Sequence, residues 1–312
     1  MPGFTVVIPL YNKENYIAAT LNSVLAQTFF DFEILVVNDC STDDSVAVVR
    51  KFIDNRIRVV EHTVNKGLSA SRNTGIKEAK AKYIAFLDAD DLWKPTFLES
   101  IDNLIKKFPQ AGIYATKYEE VYENGQIIEI PTSHVIGLKK YGSVINHYEA
   151  NLSKPIYCSS CFCIDKRVVE RAGYYNEAIT FAEDIDYTIR LNYHYELAFL
   201  DESLASYIIY TQNQITHASL KNKVITDFDK YEAAYPDRPD IKKYLDFHRY
   251  VTAKLYRISG DMAGYKKMKA GIDVNNLNLS QRILLYAPEF ILKGIRKVKR
   301  ILQKRGLNPT TY

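Results

Sequence analysis

The sequence predicts an α/β fold: a mixed, mainly parallel sheet with helices on both faces, followed by a helical C-terminal region. Three observations carry this prediction. Short β-branched runs alternate with helical patterns up to residue 108, a hairpin pattern follows, and the pattern after residue 220 is helical throughout. Strands and helices that alternate at this spacing pack as a mostly parallel sheet covered by helices.

Four strand-and-helix units make up the first part. Each strand is a short apolar run, and each helix repeats apolar residues every three or four positions. The predicted strands cover residues 5–10, 33–37, 57–60 and 83–87. The predicted helices cover residues 14–28 and 68–80, with two more that begin near residue 42 and after Pro95. The helix that begins near residue 42 starts with Ser, Thr and two Asp, which supply capping oxygens and acids for the helix dipole.

The pattern changes after Gly112. Residues 113–122 and 126–130 predict a hairpin around a Glu-Asn-Gly turn. A further strand is predicted over 157–165 and a helix over 183–193. Helical patterns broken by prolines and glycines fill the rest, which places a soft boundary near residue 220. The predicted domains are 1–220 and 221–312, and the first divides into halves of about 1–112 and 113–220.

The charge of the chain is unevenly distributed. The 41 Lys and Arg against 37 Asp and Glu give a net charge of +4. The stretch from Arg282 to the end carries a net +7, so the rest sums to −3. A faintly acidic body argues against a nucleic-acid-binding domain. The basic tail raises the separate question of a partner that binds it locally.

The sequence also bears on compartment. The start has neither the basic region nor the cleavage site of a secretory signal, and no stretch approaches the about 18 apolar residues of a membrane-spanning helix. We therefore expect a cytoplasmic protein whose membrane contact is peripheral. The stretch from Cys158 to Ile164 alternates like a buried strand, which favours packed thiols in a reducing compartment over a metal site.

Polar residues follow the predicted strands, where open α/β sheets bind their ligands. The strand ends are Pro9-Leu10-Tyr11-Asn12, Asn38-Asp39, Asn65-Lys66-Gly67 and Asp88-Ala89-Asp90-Asp91. An Asp-x-Asp directly after an apolar strand suits a divalent cation shared with phosphate oxygens. The alternative is a pair of acids that cap the helix after Pro95.

Together with Glu183-Asp184, these strand ends resemble the family 2 glycosyltransferases, inverting enzymes of the GT-A fold that use nucleotide-diphosphate sugars. The resemblance covers about residues 3–220 and includes the Asn-x-Gly-Leu-Ser-x-Ser-Arg-Asn-x-Gly segment from Asn65 to Gly75. Neither Gly-x-Gly-x-x-Gly nor a Walker P-loop occurs, which disfavours a dinucleotide dehydrogenase or a P-loop kinase.

The resemblance implies a donor site in the first half. Tyr11 offers a flat face to the nucleotide base and Asp39 accepts an N–H of uracil or thymine, although Tyr11 also suits a core and Asp39 a helix cap. Basic residues and backbone N–H groups favour the pyrophosphate. Asp90 is the expected ligand of Mn²⁺ or Mg²⁺, and Asp88 holds the ribose or a metal-bound water. The implied donor-binding residues are Pro9, Tyr11, Asn12, Asp39, Lys66, Gly67, Arg72, Asn73, Asp88, Ala89 and Asp90.

The resemblance also implies an acceptor side in the second half. It assigns the general base to Asp184, with Glu183 and Asp186 as the other candidates on the same predicted helix. Trp93 is expected to wall the sugar pocket or to pack in the core. His217 is a further metal-ligand candidate, in a segment where relatives carry an Arg that this chain lacks.

The tail from Pro288 to Lys304 forms an amphipathic helical pattern with an apolar stripe and a basic face. Such a helix suits an anionic membrane surface, and the alternative is a helix packed on the body with its basic face in water. We expect a peripheral protein at the inner face of the cell membrane. Homodimerisation stays open.

The predicted function is a metal-dependent inverting glycosyltransferase of the hexosyl or N-acetylhexosaminyl class. It moves one sugar from a UDP-sugar to a hydroxyl of a glycan or lipid-linked acceptor in surface polysaccharide biosynthesis. The alternatives are a nucleotidyltransferase, which normally shows a Gly-rich phosphate loop, and a catalytically silent membrane-associated module.

Overall fold

The protein is described by a computed structural model that covers residues 3–209, residue 220 and residues 222–304. Within this part of the chain, ten strands form one sheet. The strands are β1 Phe4–Leu10, β2 Phe32–Asn38, β3 Ile57–Glu61, β4 Tyr83–Phe86, β5 Leu92–Trp93, β6 Ile113–Val121, β7 Ile127–Glu129, β8 Ser143–Ile145, β9 Phe162–Asp165 and β10 Leu197–Ile208.

The helices divide between two compact units. Of the described residues, the first unit comprises 3–146 and 156–209, and the second comprises 147–155, 220 and 222–304. The first unit contains α1 Ile17–Leu25, α2 Ser45–Val49, α3 Leu68–Glu78, α4 Phe97–Lys107, α6 Val169–Ala172 and α7 Glu183–His194. The second contains α5 His147–Ala150, α8 Phe228–Ala234, α9 Pro239–Ile258, α10 Met262–Ala270, α11 Leu279–Tyr286 and α12 Glu289–Lys304.

The sheet is mixed and runs in the order β3, β2, β1, β4, β9, β6, β10, β5. The first four strands in this order are parallel to one another, and Val6 of β1 lies opposite Ile34 of β2 and Ala85 of β4. Strand β9 is antiparallel to β4 and β6, whereas β10 is parallel to β6. The carboxyl ends of β3, β2, β1 and β4 therefore lie along one edge of the sheet.

Packing of α3 sets the shape of that edge. All residues of β1 and β2 are buried, as expected for central parallel strands covered on both faces. Gly75 of α3 lies so close to β1 that a Cβ at this position would overlap the Val7 side chain. Glycine thus permits the close approach that brings the start of α3 to the ends of β1 and β2.

The structure confirms the predicted α/β fold with a helical C-terminal region, and it confirms the hairpin of β6 and β7. The predicted strand over 157–165 is wrong in its first half, because residues Ser159–Cys161 form a 3₁₀ turn and β9 begins at Phe162. Strands β5, β8 and β10 were not predicted. The second unit also takes in residues 147–155, which lie well before the predicted boundary near residue 220.

The second unit has a cluster of acids around a buried arginine, and an amphipathic last helix. Arg249 of α9 is buried and pairs with Asp229, Glu232 and Asp246 at 2.7–3.2 Å. In α12, Leu292 is buried while Phe290 is 74% exposed. Among the described residues, none of the helices is both long and apolar enough to cross a bilayer.

Candidate active site

The loops that follow β1 and β2 adopt backbone conformations that few L-residues accept. Asn12 and Cys40, the second residues after these strands, have φ of +51° and +61°. Ala182, directly before α7, has φ of +56°. Such conformations persist only where the surroundings impose them, and they concentrate at functional sites. All three stand beside the acidic and basic side chains described below.

Hydrogen bonds join the loop after β1 to the start of α2. The Asn12 side chain accepts from the Thr42 backbone N–H at 2.8 Å, and the Lys13 N–H donates to the Ser45 hydroxyl at 2.8 Å. Pro9 is buried within β1, whereas Tyr11 is 43% exposed. An exposed ring on a fixed loop is what a stacking contact with a base needs, and that role of Tyr11 stays a prediction.

Asp39, at the end of β2, is buried and holds the loop that leads into α3. Its carboxylate accepts from the backbone N–H groups of Lys66 and Gly67 at 2.8 and 2.7 Å. Its Oδ1 also lies 2.7 Å from Nδ1 of His62. Gly67 has φ of +90°, which explains the glycine there, and Lys66 is exposed. The predicted recognition of a base by Asp39 stays a prediction.

Arg72 of α3 connects the two parts of the predicted site. Its guanidinium is 1% exposed and donates to Asp88 at 2.9 Å and to Glu183 of α7 at 2.7 Å. Burial alone would lower the pKa of Arg72, but the two carboxylates outweigh it and raise the pKa above its ordinary value. The predicted contact of Arg72 with a pyrophosphate stays a prediction, and the structure adds this bridge.

The acidic loop after β4 holds three aspartates in different surroundings. Asp90 pairs with Lys13 at 2.6 Å and Asp88 is partly exposed. Asp91 is buried and accepts from the Ser160 hydroxyl at 2.5 Å and the Ile208 N–H at 3.0 Å. Burial, and then the charges of Asp90 and Asp88, raise the pKa of Asp91 well above its ordinary value. The three acids of this short loop therefore differ in exposure and in partners.

The start of α7 separates its three acids clearly. Glu183 is buried against Arg72, and Asp186 is buried against Arg190 at 2.6 Å. Asp184 is exposed at its surface, but protein surrounds it on other sides. This desolvation, and then the Glu183 charge, raise the pKa of Asp184 to about 6, against the opposite effect of Arg72. Of the three acids, Asp184 alone is accessible to a substrate hydroxyl.

Three predicted residues have structural partners. The Asn73 amide donates to the Tyr175 carbonyl and to Glu177, and accepts from the Tyr175 N–H. Trp93 is 4% exposed, donates to the Ser160 carbonyl at 2.6 Å and stacks on Phe97, as the packed alternative requires. The Ala89 carbonyl accepts from Thr20. Their predicted contacts with donor or acceptor stay predictions.

The acidic loop suits a divalent cation whose other ligands are oxygen atoms of a bound substrate. In the described part of the chain, His, Cys, Asp and Glu form no group of three or more that could hold a metal ion. Mg²⁺ in phosphate sites commonly takes one or two carboxylates and further oxygens from substrate. The carboxylates of Asp88 and Asp90 would supply that donor set, and each also pairs with a basic side chain, Arg72 or Lys13. His217 lies outside the described residues.

Sequence reasoning missed several residues of this site. Lys13, His62 and Ser160 contact Asp90, Asp39 and Asp91. Lys13 directly follows the strand end Pro9-Leu10-Tyr11-Asn12, so its position was a usable signal. His62 follows a predicted strand, and its place at the sheet edge could have marked it. Ser160 lies in a segment read as a strand, and nothing in that pattern indicated its contact.

Comparison with known proteins gives a consistent family assignment. Residues 5–173 match the family described as "Glycosyl transferase family 2". The chain is 36% identical over 145 residues to the glycosyltransferase GlyA of Streptococcus pneumoniae, a match that covers 46% of this chain and 20% of GlyA. It is 31% identical over 189 residues to WfaP of Escherichia coli, covering 60% of this chain and 68% of WfaP. WfaP is a UDP-Glc:alpha-D-GlcNAc-diphosphoundecaprenol beta-1,3-glucosyltransferase. The chain thus spans about a fifth of one relative and two thirds of the other.

A solved structure supports the fold. The crystal structure of S. aureus TarS in complex with UDP-GlcNAc superposes with a TM-score of 0.65 at 21% identity, over 96% of this chain and 91% of that chain. This similarity agrees with the predicted GT-A fold, an α/β sheet followed by helices.

Proposed function

We propose that this chain, which belongs to glycosyl transferase family 2, moves one sugar from a UDP-sugar to a hydroxyl of a glycan or lipid-linked acceptor. The name of WfaP, which joins a UDP-sugar to a lipid diphosphate acceptor, supports both substrate classes. We assign the reaction to surface polysaccharide biosynthesis, in which relatives such as the teichuronic acid glycosyltransferase TuaG of Bacillus subtilis have a place.

The observation that carries this proposal is the position of Asp184. It is exposed beside a buried Arg72 that also holds Asp88 of the acidic loop. A sugar donor at the acidic loop and a base at the start of α7 are thereby linked through one side chain. A glycosyltransferase needs both groups within reach of one bond.

The reaction requires an acceptor hydroxyl to attack the anomeric carbon while the nucleoside diphosphate leaves. The carboxylate of Asp184 takes the hydroxyl proton as the new C–O bond forms. Attack from the side opposite the leaving group inverts the configuration at the anomeric carbon. The raised pKa of Asp184 makes it a stronger base than an ordinary aspartate while it is still ionised near neutral pH.

The donor side supplies binding and charge stabilisation. We assign Tyr11 and Asp39 to the base, and Lys66, Gly67 and the start of α3 to the diphosphate. Asp90 and Asp88 would hold Mn²⁺ or Mg²⁺. When bound, such an ion stabilises the negative charge that develops on the leaving diphosphate. Nζ of Lys13 lies 2.6 Å from Oδ2 of Asp90 and brings a positive charge to the acidic loop.

Helix α12 gives the enzyme a surface for a membrane-bound acceptor. Its exposed apolar residues include Phe290, Ile291, Val298 and Ile301, and its exposed basic residues include Lys293, Arg296 and Lys297. Apolar and cationic residues on one exposed helix match the interface of an anionic bilayer. We therefore place the enzyme at the inner face of the cell membrane.

Replacement of Asp184 by Asn is expected to abolish transfer and preserve donor binding. Loss of a general base lowers kcat by about 10²- to 10⁴-fold. UDP affinity, measured by calorimetry with Mn²⁺ and again with EDTA, should stay within about twofold of the original protein. A chain that binds no UDP under either condition would refute the proposed function. A UDP affinity unchanged by EDTA would refute the metal assignment.

Two neighbouring acids serve as matched controls for that variant. Glu183→Gln and Asp186→Asn should lower the free energy of unfolding, because the first leaves the buried Arg72 with Asp88 alone and the second removes the carboxylate that pairs with Arg190. If Asp184→Asn transferred sugar at the original rate and one of these two variants did not, the base would be the acid replaced in the inactive variant.

The rate of transfer should fall in acid. Asp184 must be ionised to act as a base, and its pKa is about 6 in the folded protein. Below that pH, kcat/KM for the acceptor should drop about tenfold per unit, and above it the value should level off. Circular dichroism over the same range checks that the protein stays folded. A profile that is flat down to pH 5 would contradict the assignment.

Membrane binding should depend on the basic residues of α12. The double change Arg296→Glu and Lys297→Glu should weaken cosedimentation with vesicles rich in anionic lipid by at least about tenfold, since each basic residue near such a surface contributes about 1 kcal/mol. Lys266→Glu with Lys267→Glu, two exposed residues of α10, is the matched control and should bind as before. Equal losses in both variants would argue for general electrostatics and against a surface formed by α12.

A further inference from the structure

His62 is a buried histidine that touches the donor half of the site. It directly follows β3, and its backbone N–H donates to the Asn38 carbonyl at 2.9 Å. Its Nδ1 lies 2.7 Å from Oδ1 of Asp39, and its Nε2 lies 2.9 Å from the Thr74 hydroxyl. The ring therefore spans from the end of β2 to α3, and both of its nitrogens have partners.

The partners determine the proton positions on this ring. A carboxylate only accepts hydrogen bonds, so the nitrogen that faces Asp39 must carry a proton. A neutral ring then accepts at Nε2, and the Thr74 hydroxyl can donate to it. Asp39 thus selects the tautomer in which His62 donates to it, and the Thr74 hydroxyl, which can donate or accept, satisfies Nε2.

The carboxylate of Asp39 is almost fully used. Its Oδ1 receives two donors, Nδ1 of His62 and the Lys66 N–H, and its Oδ2 receives the Gly67 N–H. A carboxylate offers about four acceptor positions. These contacts fill three of the four positions. The remaining position, on Oδ2, can accept from one further donor.

We infer that His62 is a positioning residue for the donor: it fixes the Asp39 carboxylate so that Oδ2 can accept an N–H of the nucleotide base. This inference rests on the proposed function, in which Asp39 recognises the base. Without the His62 donor, Oδ1 keeps only the Lys66 contact, and the carboxylate is held by two backbone N–H groups where it had three donors. His62 has no part in the proton transfer itself.

Two isosteric changes separate positioning from packing. In His62→Asn, the amide nitrogen takes the place of Nδ1 and keeps the donor to Asp39. In His62→Gln, the amide nitrogen takes the place of Nε2, which keeps the reach to Thr74 and removes the donor to Asp39. Gln is also closer to His in volume, so a role in packing alone favours Gln.

Calorimetric titration of UDP in the presence of Mn²⁺ provides the test on the full chain. His62→Gln should raise the Kd about tenfold, the effect of losing one hydrogen bond to a charged group, and His62→Asn should restore it to within about threefold of the original value. Equal affinities in the two variants, or weaker binding in His62→Asn, would overturn the inference. If the unmodified chain bound no UDP, the proposed function itself would fail.

A measurement on the unmodified protein covers the case in which a variant does not fold. Nitrogen-15 NMR of the His62 ring should show a proton on Nδ1. A ring protonated on Nε2 alone cannot donate to Asp39 and would overturn the inference without any substitution.

Discussion

The guanidinium of Arg72 is the interaction on which the site depends. It is buried between Asp88, which follows β4, and Glu183, which begins α7. Removing charged groups from water costs several kcal/mol per ion, and loss of one partner of a buried pair commonly costs about 3–5 kcal/mol. The buried Arg72 therefore depends on both carboxylates staying in contact with it. Arg72 thereby fixes the acidic loop and the start of α7 in one geometry.

This constraint divides the work among the acids of the site. Glu183 and Asp186 pair with Arg72 and Arg190 and shape the start of α7. Asp91 is the buried member of the acidic loop and is held by Ser160. Asp184 is left exposed with a raised pKa, and Asp88 and Asp90 are left at the edge of the sheet. Similar carboxylates thus acquire different chemistry from burial and neighbours alone.

The sequence predicted β1, β2 and β4 from the apolar runs that central parallel strands require. It predicted β3, a half-buried strand at the edge of the sheet, from a shorter run that Arg58 interrupts. It missed β10, where Asp201 and Glu202 interrupt the apolar pattern. The structure shows register shifts against β6 at Leu200, Ser203 and Ala205, so the strand tolerates these acids at an irregularity. Strand β8 has three residues, which is too short to produce a periodic pattern.

The sequence also predicted which residues lie at the carboxyl ends of the parallel strands, but not which residues they contact. Arg72 and Asn73 were placed beside a phosphate because they begin a helix, and the structure pairs them with Glu183 and Tyr175, far along the chain. Contacts of this kind depend on tertiary packing and leave no local signal. His62 was missed for the same reason, because its partners Asp39 and Thr74 lie on different elements.

A double-mutant cycle on Asp88→Ala and Glu183→Ala, with the free energy of unfolding measured in urea, tests the role of Arg72 most directly. The first removal leaves Arg72 with one carboxylate and relieves repulsion between the two acids. The second leaves a buried cation with none. If Arg72 couples the two acids, the double variant should lose over about 1 kcal/mol more than the two single losses combined. Losses that add within about 0.5 kcal/mol would show that the acids are independent and would contradict the bridge.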